Sequence, residues 1–132
     1  MNNNYKHSEI TEIIIKAFYN VYNELGYGFL EKVYERSMMI ELNDFGLDCR
    51  NPKAINVKYK NQSVGDYYAD IIVENKIIIE LKAVKKIKKK HEVQLVHYLK
   101  ATGVEVGLLL NFGSEPQIKR RVLTKEYLNR KK

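Results

Sequence analysis

Asp70, Glu80 and Lys82 are the residues whose types and spacing suggest chemistry. They interrupt a strongly apolar stretch, "YYADIIVENKIIIELKAV", residues 67–84. Two carboxylates brought close together in a partly buried place repel, and at least one takes up a proton. A divalent cation removes that conflict, and Mg²⁺ prefers carboxylate and water oxygens at roughly 2.0–2.1 Å. An ammonium on the same face orients a water or offsets charge on an oxyanion. These are the parts that metal-assisted hydrolysis of a phosphodiester needs. A Glu80–Lys82 ion pair on a solvated sheet face is the plainer reading of the same residues.

The loop between the acids decides whether they meet. Side chains alternate faces along a strand. Ile77, Ile79 and Leu81 therefore share one face, and Ile78, Glu80 and Lys82 the other. In the preceding segment Tyr67, Ala69, Ile71 and Val73 oppose Tyr68, Asp70 and Ile72. In an antiparallel hairpin, the numbers of directly opposite residues add to a constant. A two-residue loop, Glu74-Asn75, would set Asp70 across from Ile79, on the wrong face. A three-residue loop, Glu74-Asn75-Lys76, sets it across from Glu80. The metal site thus predicts an odd loop or a bulge, with a left-handed residue at or beside Asn75.

The elements that must position these residues follow from periodicity. Ser8 is the expected N-cap of a helix, with Ile10, Ile13, Ile14, Ala17, Phe18, Val21, Tyr22 and Leu25 as its apolar stripe. Gly26 and Gly28 end it. Leu30, Val33, Tyr34, Met38, Leu42 and Phe45 predict a second helix, stopped by Gly46. The period then falls to two at Ile55, Val57 and Tyr59. A turn at Asn61-Gln62 and strands over about 64–73 and 77–82 complete a three-stranded meander. A third helix is expected from about His91 to Thr102, ended by Gly103. "VEVGLLLNF" reads as a strand buried on both faces. "IKRRVLTKEY" reads as a short edge strand and a frayed tail. The expectation is one domain over residues 1–132, frayed at 1–7 and 125–132. Its class is α/β (α+β), a mixed sheet flanked by helices.

The spacing of Asp70 and Glu80-Leu81-Lys82 resembles the D-x(n)-E-x-K core of the PD-(D/E)XK nuclease superfamily. "GFLEKVY", residues 28–34, is similar to the signature of the GxxExxY protein family. "QLVHY", residues 94–98, resembles the Q-x-x-x-Y motif of the RecB and lambda-exonuclease branch. The run "QLVHYLKATGVEVGLLLNFG" also looks like the GxxExxY family's C-terminal half, so the resemblance spans residues 8–123. It implies a restriction-endonuclease-like αβββαβ core. It carries the metal-binding acids onto Asp70 and Glu80, the first-helix acid onto Glu31 and the catalytic lysine onto Lys82. The auxiliary helix motif falls on Gln94 and Tyr98, and the Leu81 carbonyl and Glu31, as a third carboxylate, join the metal ligands. The usual proline is absent: Ala69 precedes Asp70. Read from the residues alone, Glu31 is equally a simple first-turn acid, Tyr34 a core aromatic, and Gln94 and Tyr98 two neighbours on one helix face.

Charge points the same way. Twenty-three Lys and Arg against 16 acids give +7, which suits a polyanion, with nucleic acid ahead of a membrane surface. Lys85, Lys86, Lys88, Lys89 and Lys90 follow Lys82 with no acid among them, and His91 comes next. Such a loop would hold phosphates without reading sequence; it would also serve as a plain solvated charge run. Cys49 is the only cysteine, so an internal disulfide and a cysteine-rich zinc site are excluded. His7, His91 and His97 lack HExxH spacing. No apolar run approaches the roughly 18 residues of a membrane span, and the polar start lacks a signal segment. The expectation is a soluble, cytoplasmic, Mg²⁺- or Mn²⁺-dependent nuclease. DNA stands ahead of RNA by family analogy only. Double-strand cutting by so small a domain would call for a homodimer. A non-catalytic nucleic-acid-binding module, or a subunit of a larger processing assembly, are the competing expectations.

Overall fold

The structure, a computed structural model, describes residues 6–51 and 54–124. Helix α1 (Ser8–Leu25) buries Ile14, Ala17, Phe18 and Val21 along the predicted stripe. Its N-cap is His7, at φ 55°, one residue before the expected Ser8. The Ser8 carbonyl accepts from the Thr11 hydroxyl at 3.0 Å. Lys6 and His7 are held rather than frayed: the Lys6 carbonyl accepts from Arg120 Nη2 at 2.7 Å, and Lys6 Nζ lies 3.5 Å from Glu105. Residues 1–5 and 125–132 lie outside the described residues. Helix α2 (Glu31–Asp44) buries only Tyr34, Met38 and Leu42. Leu30 and Val33, expected to face the core, are exposed.

The strands are β1 (Cys49–Arg50), β2 (Ile55–Tyr59), β3 (Gln62–Tyr67), β4 (Ile71–Val73), β5 (Ile77–Lys82), β6 (Val106–Phe112) and β7 (Pro116–Val122), with α3 (Lys89–Thr102) between β5 and β6. Five form a mixed sheet in the order β1-β4-β5-β6-β7. Only β5 and β6 run parallel, and α3 is their crossover. The predicted meander is corrected. β2 and β3 form a separate two-stranded sheet, and the strand expected over 64–73 breaks between Tyr67 and Ile71. The turn of this hairpin is Lys60-Asn61, one residue earlier than expected. Both residues are left-handed, at φ 52° and 64°, as a two-residue type I′ loop requires.

The sheet separates two apolar layers. Ile71, Val73, Ile77, Ile79, Leu81, Leu108 and Leu110 pack with the inner stripes of α1 and α2. Ile78 and Leu109 pack with Leu95, Tyr98 and Leu99 of α3. Ala69 belongs to this second layer, not with Ile71 and Val73 as strict alternation predicts, because the chain bends before β4. The central strand β6 is buried throughout, as its continuous apolar run implies. Among the described residues, no helix is long and apolar enough to cross a membrane.

Asn111 is the one polar side chain of β6, and it is fully buried. Its Oδ1 accepts from the Val84 N–H at 3.0 Å, and its Nδ2 donates to the Val84 carbonyl at 2.9 Å. It therefore fixes the start of the lysine loop. Nearby, a side-chain carbon on Gly113 would fall 2.3 Å from the Val84 carbonyl oxygen, so only glycine lets the β6–β7 turn pass this loop. Asn111→Leu strips the part-buried Val84 N–H and carbonyl of their side-chain partners. It is expected to lower unfolding stability by about 2–4 kcal/mol, read as a lower urea midpoint.

Candidate active site

The β4–β5 loop has three residues, since Val73 pairs with Ile77. Glu74 and Asn75 are both left-handed, at φ 55°, and Lys76 N–H closes the turn onto the Val73 carbonyl at 2.9 Å. Glu74 also staples the turn to the residue before β1: its N–H donates to the Asp48 carbonyl at 2.7 Å, and its carboxylate accepts from Asp48 N–H at 2.6 Å. The register Ile71↔Ile79 extends to put Asp70 across from Glu80. There the side chains replace the ladder. Asp70 N–H donates to Glu80 Oε2 at 3.3 Å, and Leu81 N–H donates to Asp70 Oδ2 at 2.7 Å. Satisfying these groups through carboxyls releases the backbone, which accounts for the strand break at 68–70. In a strand, the N–H and C=O of one residue face the same neighbour, so the Leu81 carbonyl is turned to this side too.

Glu80 is only 5% exposed. Burial, then the negative charge of Asp70, push its pKa up to about 9, and a side-chain hydrogen bond with Asp70 adds to the rise. The Asp70 N–H and the Lys82 charge oppose it. The Asp70 carboxyl is also raised by burial, against the lowering pull of Leu81 N–H. The pair therefore holds a proton near neutral pH. Lys82, half-buried at the end of β5, acts on both acids through its charge. The Glu80–Lys82 ion pair of the plainer reading is not present among the described residues.

Helix α2 contributes more than the one acid expected. Glu31 stands exposed at its first position. Glu35, one turn on, raises the Asp70 pKa more than Glu31 does. Asn51 ties this acid to the site, its Nδ2 donating to Glu35 Oε2 at 2.9 Å and to the Asp70 carbonyl at 2.8 Å. Among the described residues, no three His, Cys, Asp or Glu side chains converge into a metal-holding group. Tyr34 is a fully buried core aromatic stacked on Phe112, centroids 4.2 Å apart. Its hydroxyl donates to the Gly26 carbonyl at 2.7 Å and accepts from Phe29 N–H at 3.2 Å. The tyrosine of "GFLEKVY" thereby clamps the turn that precedes Glu31. Gly28, at φ 113°, supplies the backbone conformation that the turn requires.

Helix α3 brings Tyr98 to the acids. Its phenol is pushed up to about 12 by burial, then by the charges of Glu80 and Asp70. Its ring meets Tyr67 edge-on at 5.3 Å. Gln94 lies one turn earlier, half-buried. His91 caps the helix, its Nδ1 accepting from Lys88 N–H at 2.9 Å. Burial, then Lys82, Lys90 and Lys88, hold its pKa down. The helix begins two residues before the expected His91, so Lys89 and Lys90 are in its first turn and Lys88 is its cap. Three ammonium groups crowd the positive end of a helix dipole, an unfavourable placement that an anion relieves. Lys85, Lys86, Lys88, Lys90 and His91 line one wall of an open cleft of about 800 Å³, faced by the β6–β7 turn. That turn is held to α1 by the Tyr22 hydroxyl, 2.7 Å from the Gly113 carbonyl.

Sequence reasoning does not single out Glu35, Asn51 or Asn111. Glu35 carries a signal, being four residues after Glu31 and so on the same helix face. The other two act through contacts distant in the chain.

A family model described as the PD-(D/E)XK nuclease superfamily matches residues 8–122. The crystal structure of a protein called SSO0001 superposes with a TM-score of 0.55 at 22% identity, over 93% of this chain. That likeness is one of fold. This chain spans 63% of the SSO0001 chain. No curated protein matches the sequence.

Proposed function

The chain belongs to the PD-(D/E)XK nuclease superfamily, and from that premise we propose that it is a divalent-metal-dependent nuclease acting at Asp70, Glu80 and Lys82. The observation that carries this reading is the contact between two carboxyls whose pKa values are both raised, with an ammonium on the next same-face position. A buried pair that must hold a proton by itself is one that a hard cation suits. Asp70, Glu80 and the Leu81 carbonyl would hold Mg²⁺ or Mn²⁺, and Glu31 and Glu35 would add negative field around them. When bound, the cation supplies Lewis acidity at a phosphoryl oxygen.

The chain's own groups do the rest. Lys82 orients the attacking water by hydrogen bonding and offsets charge on the phosphorane oxygens. Water's oxygen bonds to phosphorus in line as the bond to the leaving oxygen breaks; the attacking water gives up a proton to solvent water, and the leaving oxygen takes one from it. Tyr98, protonated throughout the neutral range, and the Gln94 amide donate to phosphate or water. Lys85, Lys86, Lys88, Lys89, Lys90 and His91 hold flanking phosphates without sequence readout. Gly28, Glu31 and Tyr34 support placement within the GxxExxY family, and DNA is the substrate favoured by analogy.

The test is incubation with linear, circular and single-stranded DNA and with RNA, in Mg²⁺, Mn²⁺ or EDTA. Cleavage in either metal and none in EDTA is the expected result. Salt-sensitive binding with no cleavage of any substrate would replace this reading with a non-catalytic binding module.

A further inference from the structure

The turn between α1 and α2 carries apolar side chains that the core does not use. Tyr27 is 63% exposed and Phe29 48%. The turn is nonetheless held in place, by the two Tyr34 hydroxyl bonds and by Phe29 standing edge-on to Tyr34 at 6.1 Å. The Phe29 ring is thus held at the surface immediately before Glu31, and the exposed Tyr27 ring stands on the same turn. They line a hollow of about 520 Å³ whose other wall includes Ala83, Val84 and Lys85. The lysine cleft shares Val84, Lys85 and Ser114 with this hollow. An aromatic wall and a cationic wall therefore meet at Lys85, three residues after Lys82.

The chemistry that fits both walls is a polyanion with accessible π-faces. A duplex hides its base faces in the stack, whereas a single strand presents them beside its phosphates. We propose that Tyr27 and Phe29 form a stacking subsite for an unpaired base of a strand whose phosphates lie along Lys85, Lys86, Lys88 and Lys90. The inference deepens the nuclease reading and rests on it for the identity of the ligand: the substrate is single-stranded nucleic acid, or an unpaired end.

Binding in EDTA separates this subsite from cleavage. The probes are a fluorescently labelled oligothymidylate, an oligouridylate and a blunt DNA duplex, read by anisotropy. Tyr27→Ala/Phe29→Ala is expected to weaken single-strand binding about tenfold or more and to leave duplex binding and the salt slope unchanged. Tyr27→Phe/Phe29→Tyr, which keeps both rings, should bind as wild type does. Lys85→Ala/Lys86→Ala should reduce the single-strand salt slope by about 1.4. The DNA and RNA arms tell which sugar is preferred. Matching thermal melts establish that the variants fold. The proposal is overturned if the double alanine variant binds both single strands as wild type does, or loses single strand and duplex equally. An unchanged salt slope in the lysine variant also overturns it. Cleavage is scored separately in Mg²⁺. A wild type that binds as expected but cuts nothing defeats the nuclease reading alone, and one that cuts yet ignores the aromatic substitutions defeats the subsite alone.

Discussion

Lys82→Ala is expected to slow phosphodiester cleavage by about a thousandfold or more, with binding to nucleic acid nearly intact. The side chain sits at the end of β5, half-buried and outside both apolar layers, so its removal should change stability by less than about 1 kcal/mol. Its charge nonetheless reaches Asp70, Glu80 and His91. Glu80→Ala should cost at least as much activity, for a different reason: on the proposed reading it also removes a metal ligand, and calorimetric titration with Mn²⁺ should then show weakened binding. Glu31→Ala should cost less than either, because Glu31 is exposed and outside the contacting pair. Single-turnover rates at saturating substrate separate these effects from binding. Cleavage that survives both Lys82→Ala and Glu80→Ala would move the active site elsewhere.

The second large effect is on stability, and its sign is unusual for a carboxylate. Glu80 has an ordinary pKa of 4.5 and is pushed up to about 9 in the fold. Between those values the folded chain binds more protons at this site than the unfolded chain. Its contribution to stability is therefore fully present below about pH 4.5 and is lost as the pH rises toward 9. Asp70 is shifted in the same direction. Without metal, the melting temperature should fall across pH 5–9 after allowance for other groups. Glu80→Gln should flatten that slope and melt several degrees higher than wild type at pH 8. Added Mg²⁺ should restore the wild type, by accepting the ionised pair, and do little for the glutamine variant. A Glu80→Gln protein that melts lower than wild type at pH 8 without metal would mean that the ionised carboxylate supports the fold.

The alignment of Asp70 with Glu80 was legible because hairpin parity is integer arithmetic. Once Ile71 and Val73 must share a layer with Ile77 and Ile79, an odd loop or a bulge follows. Helix α1 and strand β6 were legible for a similar reason, since their apolar spacing is long and regular. What escaped depends on contacts rather than spacing. The two residues of β1 are too few to show a period. The break before Ile71 arises where two carboxyls take over backbone hydrogen bonds, which no periodicity records. Leu30 and Val33 occupy apolar positions of a helical pattern yet face water, because α2 meets the core only from Tyr34 onward. Asn51 reaches Glu35 only because the chain beyond β1 runs past α2.

The three-residue loop at Glu74-Asn75-Lys76 also acts as an error check. The register that aligns the acids is the same one that buries Ile71 and Val73 beside Ile77 and Ile79. Losing or gaining one residue there cannot misalign the acids while sparing the core, because both obey one parity. A chain with misplaced acids is then also a poorly packed chain, exposed to the proteases that remove unfolded protein. Cellular quality control thereby screens the alignment of the two acids without ever testing any chemistry.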